Sequence, residues 1–229
     1  MVNTMYKCCI FDLDGTLVNS IYSIQRAVNL TLEQWGLPPI DVEQTKAFVG
    51  DGYRMLLKRA LIAGGDEQLE HLKEAEKGYI EIFKRCSLYR VEAYEGIEDM
   101  LSFFKDHEIE LAVLSNKPHG RTVENVEAVF GSRLFKRVYG EREEMGIERK
   151  PSPDGIWCIM KELGRRKEEV LYLGDTNTDM RAGRNAGVDT VGVTWGFRER
   201  KELEEFSPRF IADHPSRVVE FVKEVNGIG

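Results

Sequence analysis

The sequence predicts an α/β protein: a parallel sheet with helices on both faces, interrupted near its N-terminus by an inserted all-α domain. Three observations carry this. Short apolar runs at residues 6–11, 111–114, 170–173 and 190–193 have strand length and β-branched content, and each ends abruptly in polar residues or glycine, as buried parallel strands do. Helix-period segments lie between them: Ile97, Met100, Leu101 and Phe104 fall at i, i+3, i+4, i+7, and Ile156, Ile159, Met160 and Leu163 repeat the spacing. Alternation of the two patterns is the signature of a parallel sheet with crossover helices. Thirdly, residues 18–90 offer helical patterns and no convincing strand.

In chain order, the first strand gives way to that insert, where Ile21, Ile24, Val28, Leu32 and Trp35 form one apolar stripe and Leu69, Leu72, Tyr79 and Phe83 a second. Gly36-Leu37-Pro38-Pro39, Gly50-Asp51-Gly52 and Ala63-Gly64-Gly65-Asp66 punctuate it into three or four helices. The expected division is therefore a core of residues 1–17 and 91–229 and a helical domain of residues 18–90. A weaker strand at 137–140 follows a helix through Val123, Val126 and Val129. Ser152 and Pro153 are expected to cap and open the helix that carries Ile156.

Composition narrows the function. Hydrophobic residues at 42% and charged residues at 31% of 229 exclude disorder and disulfide-scaffold classes. A net charge of −7 has the wrong sign for a protein that neutralises nucleic-acid backbones. No apolar run reaches the ~20 residues of a membrane span. The first eleven residues lack a secretory layout, and the four cysteines show no metal spacing. A cytoplasmic protein with reduced thiols is expected.

Open α/β sheets bind ligands at the carboxyl ends of their strands, and four polar clusters fall there. Asp12 and Asp14, at i and i+2 leaving a strand, project to the same side and set a carboxylate nucleophile beside a second carboxyl group able to move protons. Asp175 and Asp179 make the site strongly anionic, so a hard cation such as Mg²⁺ is expected among the four carboxylates. Ser115, Asn116 and Lys150 bring the donors and positive charge that a phosphoryl group needs. A calcium loop from Asp175 fails on Met180 and Ala186, where glycine and glutamate are required. Together the clusters point to metal-assisted phosphoryl transfer.

Asp12-Leu13-Asp14-Gly15-Thr16, Leu114-Ser115-Asn116-Lys117-Pro118, Lys150-Pro151 and Gly174-Asp175-Thr176-Asn177-Thr178-Asp179, in that order, resemble the four motifs of the haloacid dehalogenase superfamily. The insert is similar to the small helical cap of one subgroup. Gly50-Asp51-Gly52 with the run that follows it, and Val193-Thr194-Trp195-Gly196-Phe197, look most like the phosphoglycolate phosphatases within it. The resemblance implies a Rossmann-like core, a small phosphorylated metabolite as substrate, and Asp12 as the nucleophile that becomes an aspartyl-phosphate. Asp14 would be general acid and base. Asp12, the Asp14 backbone carbonyl and Asp175 would bind Mg²⁺ with Asp179 in support, and Thr16, Ser115, Asn116 and Lys150 would hold phosphoryl oxygens.

The retained Asp14 argues against dehalogenase and phosphonate-cleaving relatives and leaves a sugar phosphomutase, or a non-catalytic module that binds a phosphorylated ligand, as alternatives. Within the insert, Arg54 and Lys46 are candidates to meet a substrate carboxylate, against the plainer reading of two solvated cations.

Overall fold

A computed structural model describes residues 5–228, so the first four residues of the stretch read for a secretory layout lie outside it. The chain divides into two compact units, one of Met1–Val18 with Ala93–Gly229 and one of Asn19–Glu92. In the first unit six strands form one parallel sheet: β1 (Cys8–Phe11), β4 (Glu110–Pro118), β5 (Arg137–Glu141), β6 (Val170–Gly174), β7 (Asp189–Val193) and β8 (Phe210–Ala212), in the order β5-β4-β1-β6-β7-β8. Its helices are α5 (Ile97–Asp106), α6 (His119–Phe130), α7 (Asp154–Leu163), α8 (Asn177–Ala186), the short α9 (Arg200–Glu204) and α10 (Pro215–Asn226).

β1 is central, and all four of its residues are buried, because a parallel strand covered on both faces has no polar side to show. This is why Cys8-Cys9-Ile10-Phe11 reads as an unbroken apolar run. Burial also settles the cysteines: all four are unpaired, and burial pushes the Cys8 thiol up to about 12 and the Cys9 thiol well above its ordinary value. Neither is a reactive thiolate.

The expected strands are present, with two differences. β4 runs on through Ser115, Asn116 and Lys117 to Pro118, so the polar cluster continues the strand as extended backbone instead of leaving it. β8 was not foreseen; three residues are too few for an alternating pattern. The start of α7 also needs correction. Pro153 occupies the N-cap position and Ser152 lies one residue before it, its hydroxyl accepting from the Asp154 backbone N–H at 3.3 Å.

The second unit contains α1 (Ile21–Leu32), α2 (Val42–Phe48), α3 (Tyr53–Ala63) and α4 (Leu72–Cys86). Both apolar stripes line its core, through Val28, Leu32, Tyr79 and Phe83 among others, with Leu57 and Leu61 of α3. Two stripe members sit outside the α-helices: Trp35 belongs to a 3₁₀ turn closed by Gly36, and Leu69 precedes α4 with φ +57°. Asp41 and Gln44 cap the start of α2 reciprocally. The chain passes between the units along two short strands, β2 (Val18–Asn19) and β3 (Glu92–Ala93), which pair with each other. Among the described residues no helix is long and apolar enough to cross a membrane.

Candidate active site

The carboxyl ends of β1, β4 and β6 bring the expected residues into one buried cluster within the first unit. Asp12 follows β1 directly, its backbone N–H donating to Leu173 O at 2.8 Å, and the chain then turns tightly through Gly15, whose φ of +93° suits glycine. A Cβ on Gly15 would lie 2.3 Å from Asp175 Oδ2, so the turn and Asp175 pack without room for a side chain. Gly196, in the loop after β7, is equally confined: its Cβ would meet Gly15 O at 2.3 Å. Trp195 anchors that loop through Nε1–H to Thr16 O at 2.9 Å, and the Phe197 N–H donates to Asp175 Oδ2 at 2.7 Å.

Lys150 organises the centre. Its ammonium donates to Asp12 Oδ1 at 2.6 Å, Asp179 Oδ1 at 2.7 Å and Leu114 O at 3.0 Å, with its side chain only 4% exposed. Burial disfavours the lysine charge, but Asp12 and Asp179 outweigh it and hold the ammonium above its ordinary pKa. Asp12 is pushed up to about 7, because burial and the Asp179 and Asp14 charges act against the pull of Lys150. Asp175, wholly buried, is raised well above the carboxylate range by burial and by Asp12 and Asp179.

Asn116 explains how Lys150 is placed. Its amide donates to Lys150 O and accepts from Lys150 N, both at 2.9 Å, a two-point clamp on a backbone 34 residues away. Asn116 thus positions Lys150, a task its residue type did not announce. Ser115 is buried beside it, its hydroxyl accepting from the Lys117 N–H. The Thr16 hydroxyl donates to Asp175 Oδ1 at 3.2 Å.

Asp12, Asp175 and Asp179 each offer a carboxylate oxygen within 4.8 Å of the others, all buried, which is a donor set suited to a hard divalent cation. The three are not equivalent. Asp179 caps α8 reciprocally with Thr176, taking the Thr176 N–H and hydroxyl on Oδ2, and takes Lys150 and the Tyr172 hydroxyl on Oδ1. Four donors fill its lone pairs, so Asp179 acts chiefly by aiming Lys150. Because α8 begins at Asn177, that backbone is committed to helix, a further reason why this segment is no calcium loop.

Asp14 stands apart from the Lys150 network. Its Oδ1 accepts from Lys117 Nζ at 2.9 Å, and Lys117 is in turn held by Asn125 Oδ1 at 2.5 Å. Lys117, Asn125 and Tyr172 are site residues that sequence reasoning did not single out. For Lys117 a signal existed: on an extended strand it shares a face with Ser115. Asn125 and Tyr172 sit within a helix and a strand, where nothing local marks them. Arg54 and Lys46 belong to the second unit; Arg54 is exposed in the first turn of α3, and Lys46 pairs with Glu43 at 2.9 Å.

The comparisons with known proteins agree with this geometry. Residues 9–193 match the family model of the haloacid dehalogenase-like hydrolases. The chain is 33% identical over 220 residues to a phosphoglycolate phosphatase of Haemophilus influenzae, covering 93% of this chain and 96% of that one. It is 30% identical over 211 residues to phosphoglycolate phosphatase 1 of Pseudomonas aeruginosa, covering 91% and 76%. A solved haloacid dehalogenase-like family hydrolase from Streptococcus pneumoniae superposes with a TM-score of 0.82 at 24% identity, over 96% of this chain and 99% of that one, and shares its fold. With a matching sheet, four clusters in order and a buried carboxylate centre around Lys150, the chain belongs to the haloacid dehalogenase-like hydrolases, as an enzyme of the phosphatase type.

Proposed function

We propose that this enzyme hydrolyses a small phosphorylated metabolite, 2-phosphoglycolate or a close relative, through an aspartyl-phosphate on Asp12. The observation that carries the reading is the Asp12 carboxylate held at 2.6 Å by a buried ammonium, at a strand end crowded with further carboxylates. The names of the relatives support the substrate class. Four unpaired cysteines suit a reducing compartment, and we place the enzyme in the cytoplasm.

In the first step an Asp12 oxygen attacks phosphorus, the bond to the leaving alkoxide breaks, and Asp14 gives the alkoxide a proton. In the second a water attacks phosphorus, Asp14 takes its proton, and the Asp12 oxygen–phosphorus bond breaks to release phosphate. Thr16, Ser115 and Lys150 provide the donors for the phosphoryl oxygens, Asn116 holds Lys150 in place for them, and Lys150 neutralises charge in a site that water does not screen. Asp12, the Asp14 backbone carbonyl and Asp175 would hold Mg²⁺, with Asp179 in support; bound there, the ion supplies the positive charge that lets a dianionic phosphate approach these carboxylates. The helical insert has no part in these steps, and we assign it the choice of leaving group.

Asp12→Asn tests the chemistry, since an amide neither attacks phosphorus nor forms the intermediate. Turnover of p-nitrophenyl phosphate is expected below about 1% of wild type with an unchanged circular dichroism spectrum; turnover above that level makes Asp12 a ligand only.

The raised carboxyl groups give the metal a pH signature. Asp12 binds its proton more tightly folded than unfolded, so the metal-free fold loses stability as pH rises from about 4 towards 7. A cation that binds the ionised form removes that loss. Mg²⁺ is expected to raise Tm by more at pH 8 than at pH 5.5, measured by differential scanning fluorimetry; an equal or reversed increment contradicts the assigned ligands.

For the substrate, kcat/KM is expected to be higher for 2-phosphoglycolate than for p-nitrophenyl phosphate; if Arg54 meets the substrate carboxylate, Arg54→Ala lowers the former selectively, and if it is a solvated cation the substitution leaves both esters unchanged. Parity between the two esters removes the substrate assignment and leaves the phosphatase chemistry standing.

A further inference from the structure

The two aspartates assigned to the chemistry each have a buried lysine of their own. Lys150 serves Asp12; Lys117 serves Asp14. The Lys117 side chain is 3% exposed, and its ammonium is shared between Asp14 Oδ1 at 2.9 Å and Asn125 Oδ1 at 2.5 Å. Asn125 is itself fully buried on α6. The lysine's backbone is equally fixed: its N–H donates to Ser115 Oγ at 3.3 Å, and its carbonyl accepts from the Thr122 hydroxyl at 3.2 Å. On the neighbouring β5, a Cβ at Gly140 would come within 2.6 Å of that carbonyl, so the two strand ends lie too close for a side chain at that position. An ammonium pinned at both ends of its side chain defines a direction for the carboxylate it grips. The cost of burying such a charge is offset only when its partners are well placed.

We infer that Lys117 is a positioning residue that orients Asp14 as the base of the second half-reaction. Gripped through Oδ1, the Asp14 carboxylate presents Oδ2 to the water that attacks phosphorylated Asp12. The water oxygen bonds to phosphorus, its proton passes to Asp14 Oδ2, and the Asp12 oxygen–phosphorus bond breaks with its electron pair returning to the Asp12 carboxylate. Asn125 keeps Lys117 from swinging away. This rests on the assignment of Asp14 as acid and base given above.

The test separates the two half-reactions with p-nitrophenyl phosphate and Mg²⁺. Its leaving group departs readily without a proton, so phosphorylation of Asp12 proceeds even where Asp14 is disordered, whereas the hydrolysis of the aspartyl-phosphate still needs the base. Lys117→Met is expected to release a burst close to one p-nitrophenolate per chain, to accumulate acid-quenched phosphoenzyme, and to turn over at least about tenfold more slowly than wild type. Asn125→Ala, which keeps the lysine and loosens its anchor, is expected to show the same accumulation with a smaller loss, and it decides the question if Lys117→Met does not fold. Slower turnover without phosphoenzyme in these variants, or turnover within about twofold of wild type, overturns the inference. Asp14→Asn runs alongside. Phosphoenzyme in Asp14→Asn but not in the lysine and asparagine variants removes only the role of Lys117; no phosphoenzyme in Asp14→Asn removes the base role of Asp14, and the inference with it.

Discussion

A buried ammonium between two buried carboxylates governs the architecture of the site. Lys150 contacts Asp12 and Asp179 at 2.6 and 2.7 Å, and none of the three side chains has more than 8% of its surface exposed. Breaking such a pair by removing one member costs about 3–5 kcal/mol, because the partner is left charged and unpaired away from water. The geometry of the lysine must therefore be enforced, and it is enforced from three sides. Asn116 on β4 clamps its backbone, Thr176 at the start of α8 and Tyr172 on β6 hold Asp179, and Asp12 is fixed by the end of β1. Adjacent strand ends of one parallel sheet converge on one nitrogen.

The same convergence explains where side chains are absent. Gly15, Gly174 and Gly196 surround the carboxylates so closely that a Cβ on any of them would fall within 2.4 Å of Asp175, Asp179 or the Gly15 carbonyl. Packing this tight excludes water from Asp12 and Asp175 and, with the neighbouring carboxylates, raises their pKa, so keeping both ionised calls for more positive charge than Lys150 supplies. Fold, packing and the demand for a cation are thus linked by one geometric fact. Functionally, a cation that met that demand would also offset the charge of an incoming phosphoryl group.

Much of this was legible in the residues alone, and the reasons differ by element. Strands β1, β4, β6 and β7 are apolar runs because both faces are covered, so their pattern survives without tertiary information. Asp12, Asp14, Lys150, Asp175 and Asp179 could be picked out because rules for sheet edges turn sequence position into spatial convergence. The roles of Asn116 and Asp179 were less accessible: amide and carboxylate types suit ligand binding and internal clamping equally, and only the hydrogen bonds decide. Lys117 obeyed the same i, i+2 rule that drew attention to Asp14, but Asn125, eight residues further on and inside α6, carries no local mark. The three-residue β8 and the one-residue delay at the start of α7 lie below the resolution of any periodic pattern.

The central claim is that the Lys150-held carboxylate of Asp12 becomes covalently phosphorylated. Acid quenching during turnover of 2-phosphoglycolate with Mg²⁺, followed by borohydride, reduces an acyl phosphate to the alcohol and leaves free carboxylates untouched. Peptide mass spectrometry is then predicted to find homoserine at position 12, with Asp14, Asp175 and Asp179 intact. Homoserine at another of these positions, or none at all while phosphate is released, would contradict the account.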